Sequence, residues 1–184
     1  MRIAFLLLLL PMALQAGQSK PAPITVRLHA EAVKTEGPSF VTEIQLKVPN
    51  KKIFVRKVPF MTERDIKAIL PFTTDDGSLG CIFRLDPSGT QRTDEHTTAA
   101  RDTIVVALVN GRVASAMRVD RRITDGIVTI PSGFLPEEIL ALQALHPTIG
   151  KESDFQKQSR EAKKSLHKMA ARLATPKATP KPAN

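Results

Sequence analysis

Residues 103–119 read TIVVALVNGRVASAMRV, and this stretch decides the fold. Residues 103–109 are almost continuously apolar, which is the pattern of a strand covered on both faces. Asn110 and Gly111 separate this run from residues 112–119, where apolar and polar side chains alternate. Because both central positions of a two-residue turn need positive φ, an Asn-Gly pair between two strands predicts an antiparallel hairpin.

Alternating segments before this hairpin predict further strands. Residues 24–32 and 40–48 carry apolar side chains at every second position, as half-buried strands do. Turn-forming residues at 35–39 lie between them, so we expect the two strands to pair as an N-terminal hairpin. Shorter apolar runs predict strands at residues 53–55, 79–85 and 126–130.

Three helices are predicted in the body of the chain. Thr62 can cap a helix because Asp65 follows three residues later, and apolar spacing carries this helix to Pro71, which ends it. A polar helix is predicted at residues 90–100, and a helix that begins at a proline is predicted at 136–145. The buried stripe of that last helix is expected to comprise Ile139, Leu142 and Leu145.

Together these segments predict an α+β fold. We expect an antiparallel sheet with helices on one face and a ferredoxin-like core. An N-terminal hairpin would precede that core, and a basic helix would follow it.

The first residues have the composition of a secretory signal. Residues 1–16 combine Arg2, a short apolar run and small residues near Ala16, which are the three parts of a signal peptide. The apolar run is shorter than the roughly 20 residues of a membrane-spanning helix. We therefore expect a periplasmic or extracellular protein that is cleaved near Ala16.

The remainder divides by composition into a linker, one domain, a helix and a tail. We expect the linker at residues 17–23, the domain at 24–150, a basic amphipathic helix at 151–174 and a disordered Pro/Lys tail at 175–184. The seam of the basic helix repeats at spacings of four and three residues. That seam comprises Phe155, Ser159, Ala162, Leu166, Met169 and Leu173.

The positive charge of the chain is concentrated at its C-terminal end. The formal net charge is +9, and residues 151–184 hold nine Lys and Arg against three Asp and Glu. The domain itself is thus close to neutral, and the chain has neither Trp nor Tyr on which bases could stack. These observations argue against nucleic acid as a partner. The basic helix has three alternatives: docking on its own domain, a partner protein, or an anionic membrane or polymer.

Residue patterns of catalytic and metal sites are not found. Cys81 is the only cysteine, and its apolar surroundings predict a core residue. The four histidines are scattered without metal-ligand spacing and are predicted to be solvated. We therefore expect no catalytic residue, metal or cofactor, and a hydrolase would require a cluster of carboxylates or histidines that the sequence does not reveal.

Residues 61–145 carry an ordered set of short motifs. The set comprises Gly89, Thr97, the run Val109-Asn110-Gly111-Arg112-Val113, Ser115-Ala116, Ile123, Gly126, Ile130, Gly133-Phe134 and Glu138. In this order and spacing it resembles the head of the first periplasmic domain of SecD, an accessory subunit of bacterial protein export. The chain departs from that family at Thr93, Asp102 and Met117, where Phe, Gly and Pro are usual.

The resemblance implies a non-catalytic binding module. In SecD this domain is thought to engage emerging polypeptide, so unfolded polypeptide or an envelope membrane complex becomes the expected partner. An alternative is a structural envelope protein that its basic tail tethers to anionic membrane or cell-wall polymer. The candidate partner contacts are Arg118, Arg121, Arg122 and Asp125 after the hairpin, and Lys163, Lys164, Lys168 and Arg172 in the basic helix.

Overall fold

The computed structural model describes residues 24–46 and 50–174. The predicted signal peptide, linker and Pro/Lys tail lie outside the described residues. The strands are β1 Val26–Ala32, β2 Val41–Leu46, β3 Lys51–Arg56, β4 Ile66–Thr73, β5 Leu79–Leu85, β6 Ile104–Val109, β7 Arg112–Arg118 and β8 Ile127–Phe134. The α-helices are α1 Pro87–Ala99, α2 Pro136–Leu145 and α3 Glu152–Ala174. The α+β class is confirmed.

The strands form two antiparallel sheets. One has five strands in the order β2-β3-β1-β6-β7, and the other has three in the order β4-β5-β8. The β6–β7 hairpin forms at the predicted place, with Asn110 at φ 50° and Gly111 at φ 78°. Its register joins Ile104 to Arg118 and Val109 to Arg112.

The predicted pairing of the first two strands is wrong. β2 pairs with β3, and β3 in turn pairs with the end of β1 at Glu31 and Ala32. The N-terminal hairpin therefore consists of β2 and β3. The segment between them is shorter than the one between β1 and β2, so its closure orders fewer residues.

The predicted helix at residues 62–70 is also wrong. The cap itself forms, because the backbone N–H of Thr62 donates to Oδ2 of Asp65 at 2.7 Å. It closes only one 3₁₀ turn, Glu63–Asp65, after which β4 begins. A helix ending before Pro71 would have been barely two turns long, whereas the strand pairs with β5 from Ile66 to Thr73. Pro71 is tolerated there because β4 is an edge strand.

The ferredoxin-like core is not formed, and the predicted single sheet is two. In a ferredoxin-like core the strands that flank a helix share one sheet. Here β5 and β6, which flank α1, lie in different sheets. The reason lies in β6, whose apolar side chains point to both faces and need cover from both sides.

Two apolar cores supply that cover. The larger core lies between the two sheets and includes Val105, Ala107 and Val109 from one face of β6. The smaller core joins Val106, on the opposite face, to the hairpin residues Leu46, Ile53 and Val55. The prediction that β6 is covered on both faces is thus confirmed.

The β2–β3 hairpin also changes the environment of His29. This side chain was predicted to be solvated on the polar face of β1, but it is 6% exposed. Its Nδ1 lies 2.8 Å from the backbone oxygen of Arg56 in β3. The prediction failed because the hairpin covers the face that a single alternating strand would expose to water.

Cys81 is a core residue, as its apolar surroundings predict. It is fully buried in β5, and burial raises the pKa of its thiol to about 12. The thiol is therefore protonated at neutral pH, and a thiol in this state is a poor nucleophile.

Helix α2 has the predicted bounds, but its buried stripe is shorter than predicted. Ile139 and Leu142 are buried, whereas Leu145, the last residue of the helix, is 47% exposed.

Candidate functional site

A pocket of about 180 Å³ lies between α1 and the loop that follows β7. Its lining comes from β1, the β3–β4 segment, α1, β6, β7, the β7–β8 loop and β8. The lining residues are Leu28, Phe60, Thr93, Thr97, Val105, Met117, Arg118, Val119, Asp120, Arg121, Ile123, Ile127, Val128 and Thr129. The floor is apolar and the rim, at Arg118, Asp120 and Arg121, is charged. We call this cavity the α1 pocket.

Thr93, one of the residues that line the α1 pocket, carries a buried hydroxyl group. Thr93 is 1% exposed, and its Oγ1 has no hydrogen-bond partner among the described residues. A buried hydroxyl without a partner costs about 1–3 kcal/mol, so most such groups in proteins are paired with protein or water. The Thr93 hydroxyl is therefore a polar group that the fold buries without a partner among the described residues.

Phe60, which lines the pocket, belongs to a stacked aromatic pair. The ring of Phe60 packs on His96 of α1 with centroids 4.1 Å apart and planes inclined by 22°. Nε2 of His96 is buried without a partner among the described residues. Burial lowers the pKa of His96 below its usual 6.5, and the positive charge of Arg56 lowers it further.

Acid is expected to weaken the fold through His96. Because its pKa is lower in the folded chain than the unfolded value of 6.5, the unfolded chain takes up this proton first as pH falls. The stability gained from the neutral ring is therefore present above pH 6.5 and lost below it. We expect His96→Phe, which retains the stack on Phe60, to show a smaller fall in unfolding free energy between neutral and mildly acidic pH.

Urea unfolding at a series of pH values measures this difference. Part of the fall remains in the variant because burial also lowers the pKa of His146. Equal pH dependence of the parent and the variant would show that protonation of His96 has no effect on folding.

The β7–β8 loop is fastened to α1 by side chains. Arg122 donates from Nη2 to Oδ2 of Asp94 at 2.8 Å, and the Arg122 hydrogen bond lowers the pKa of Asp94. The backbone N–H of Ile123 donates to Oγ1 of Thr97 at 3.0 Å. These contacts hold the loop over the pocket, so the pocket is preformed.

The predicted contact residues of this loop have different positions. Arg118 and Arg121 are exposed and lie on the rim of the α1 pocket. Arg122 instead binds Asp94, and Asp125 accepts a hydrogen bond from the backbone N–H of Ile127 at 3.0 Å. That any of the four contacts a partner remains a prediction.

The predicted contact residues of the tail lie on α3. Lys163, Lys164 and Lys168 are exposed. Arg172 belongs to the same helix, but its side chain is outside the described part of the structure.

A second cluster forms around Glu138, which is 5% exposed at the start of α2. Its Oε2 accepts hydrogen bonds from Nη2 of Arg112 at 2.8 Å and from the backbone N–H of Leu135 at 2.9 Å. Asn110 donates to Oε1 at 3.3 Å, and Arg112 also donates to the backbone oxygen of Gly133 at 2.9 Å. This Glu138 cluster ties the β6–β7 turn to the end of β8 and to α2.

Among the comparisons with known proteins, the one with solved structures finds matches. Neither a family model nor a curated protein matches the chain. Two solved structures of SecDF are similar to it, one in a super-membrane-facing form and one described as a membrane component that enhances protein export. Each is 14% identical over 68% of this chain, with a TM-score of 0.47.

This chain spans 19% of one SecDF chain and 64% of the other. Within residues 24–46 and 50–174, no helix combines the length and the apolarity needed to cross a membrane. Those residues also contain no group of three or more His, Cys, Asp or Glu side chains arranged to hold a metal ion.

The residues that carry the SecD resemblance have structural contacts. Asn110, Arg112, Gly133 and Glu138 meet in the Glu138 cluster. A Cβ atom on Gly126 would lie 2.2 Å from Oγ1 of Thr90, so this glycine permits close contact between the loop and α1. Thr97 and Ile123 also belong to this set of motifs, and they form the hydrogen bond that fastens the β7–β8 loop to α1.

Two of the three departures from the SecD pattern lie at the α1 pocket. Thr93 and Met117, which stand where Phe and Pro are usual, both line the α1 pocket. Asp102, which stands where Gly is usual, has φ 63°. Thr93 and Met117 are 24 positions apart in the sequence and meet only through the fold.

Proposed function

We propose that this protein is an exported, non-catalytic module that binds unfolded polypeptide. The observation that carries the proposal is the α1 pocket, a preformed apolar cavity with a buried hydroxyl at Thr93 and a charged rim. Such a combination of apolar floor and few polar groups is typical of binding sites.

The volume of the pocket favours one side chain of a longer chain as its occupant. At about 180 Å³ it is smaller than the roughly 300–1,000 Å³ of pockets that enclose a small-molecule ligand. An apolar side chain would fill the floor, while the flanking backbone would lie across the rim.

The rim suits the backbone and the charges of such a chain. Arg118 and Arg121 are exposed beside Asp120, so the rim carries a positive excess. Peptides with an acidic residue next to the anchoring apolar one should bind most tightly. The motifs shared with SecD, together with the predicted signal peptide, support a place in the cell envelope and a role connected with protein export.

Filling the α1 pocket is the test of this function. We expect Thr93→Phe to raise the Kd for a fluorescently labelled, permanently unfolded polypeptide about tenfold or more, because burial of one apolar side chain contributes about 1.5–3 kcal/mol. Thr93→Val is the matched control, since it keeps the shape of the pocket and removes only the hydroxyl. Fluorescence anisotropy with the full chain measures both.

The control also separates binding from folding. Because the hydroxyl has no partner among the described residues, Thr93→Val should unfold at the parent's temperature or above it. Equal affinity in the parent and in Thr93→Phe, with both variants folded, would remove the α1 pocket as the polypeptide site.

A further inference from the structure

Helix α3 extends away from the domain that holds its first turn. At its start, Nη1 of Arg84 in β5 donates to Oε1 of Glu152 at 2.7 Å. Phe155 and Ser159 are half-buried, whereas every side chain from Arg160 to Lys168 is exposed. At 1.5 Å per residue, the 23 residues of Glu152–Ala174 span about 35 Å. The part of α3 from Arg160 to Lys168 therefore does not pack along its own domain.

The exposed part of α3 is strongly basic. Between residues 157 and 168 it carries five Lys and Arg against the single acid Glu161. The basic members are Lys157, Arg160, Lys163, Lys164 and Lys168. Charges at this density repel one another and favour an anionic partner.

An apolar strip runs between these charges. Ala162 and Leu166 are one helical turn apart and so lie on the same face as Phe155. Leu166 is 65% exposed, and no described residue covers it. The helix thus presents a narrow apolar strip flanked by lysines.

We propose that α3 binds an anionic lipid surface. Its lysines would contact the lipid phosphates, and Leu166 would enter the boundary between headgroups and acyl chains. This interaction is independent of the α1 pocket and adds a tether to the proposed binding function. It is a surface attachment, because the strip is too narrow to face hydrocarbon on all sides.

Other occupants of the strip fit the described residues less well. A second copy of α3 would bring two sets of basic side chains within about 10 Å, the distance over which charges repel at moderate salt. Ser159 and Ala162 would also leave the centre of such a seam poorly filled. An acidic polymer would neutralise the lysines but would leave Leu166 exposed.

Vesicle co-sedimentation of the full chain tests the proposal. The probes are phosphatidylcholine vesicles with and without phosphatidylglycerol, at low and at high salt. Comparison of the two compositions isolates the electrostatic contribution, since apolar binding by residues 1–16 would occur with both. We expect binding that needs phosphatidylglycerol and decreases with salt.

Matched variants assign the binding to α3. We expect the double variant Lys163→Glu, Lys164→Glu to weaken binding at least about tenfold, and Leu166→Ser to weaken it as well. The control is Lys34→Glu, Lys51→Glu, which makes the same charge change at exposed positions outside α3 and should bind like the parent.

Three results would overturn the proposal. Equal loss in the control would mean that net charge, rather than α3, drives binding. Retention on an anionic polysaccharide column without binding to vesicles would identify a polymer as the partner. A concentration-dependent dimer in sedimentation velocity, lost in Leu166→Ser, would assign the strip to a second copy.

Discussion

Gly133→Ala is expected to lower the free energy of unfolding by about 3 kcal/mol or more, the largest effect of a single methyl group among our predictions. A Cβ atom at this position would lie 2.1 Å from the backbone oxygen of Ala114 in β7. Backbone cannot rotate away as a flexible side chain can, so β8 and β7 would have to separate. Gly133 also has φ +96°, which is unfavourable for a residue with a Cβ.

Gly37→Ala isolates the contribution of the clash. Gly37 has a similar φ of +91°, but a Cβ atom there would meet nothing within 4 Å. Both variants thus carry the conformational cost, whereas only Gly133→Ala carries the steric one. Urea denaturation of the two measures the difference, and equal losses would mean that β7 and β8 are not in the close contact described.

Glu138→Ala is expected to lower the free energy of unfolding by about 1–3 kcal/mol, because it removes a buried carboxylate that accepts three hydrogen bonds. The carboxylate accepts from Arg112, Asn110 and the backbone N–H of Leu135. The variant would therefore remove the cap of α2 and the link from that helix to the β6–β7 turn. Arg112 is partly exposed and would regain water, so the loss stays below the range for a charge left buried without a partner.

Glu137→Ala is the matched control for this second prediction. Glu137 is the preceding acid in the same helical turn, and it is exposed. Its removal should cost only a few tenths of a kcal/mol through the helix dipole. A double-mutant cycle with Arg112→Ala then measures the coupling of the pair. Additive losses would show that Glu138 and Arg112 do not stabilise each other.

The sequence predicted elements with strong local signals. The Asn110-Gly111 turn needs positive φ at both positions, and Pro136 fixes the start of α2, so each was predictable from a few neighbouring residues. The helix predicted from Thr62 failed although its cap forms. The spacing of apolar residues in that segment carries no information about its pairing with β5, and this pairing makes residues 66–73 a strand.

The candidate site was predictable only in part. Arg118 and Arg121 were expected to contact a partner because they follow the hairpin, and they lie on the rim of the α1 pocket. The pocket itself depends on side chains from several elements, and the orphaned hydroxyl of Thr93 has no signature in the sequence. His29 illustrates the same limit, since the hairpin that buries it pairs from a distant part of the chain.

The Glu138 cluster also bears on the order of events when the chain is made. Asn110 and Glu138 are 28 residues apart, and α2 is the last element of the two-sheet domain. A polypeptide that emerges from a ribosome or a translocation channel N-terminus first presents β7 well before the carboxylate that closes it against β8. The hydrogen bonds of the Glu138 cluster, which join β7, β8 and α2, can therefore form only when nearly all of the two-sheet domain has emerged.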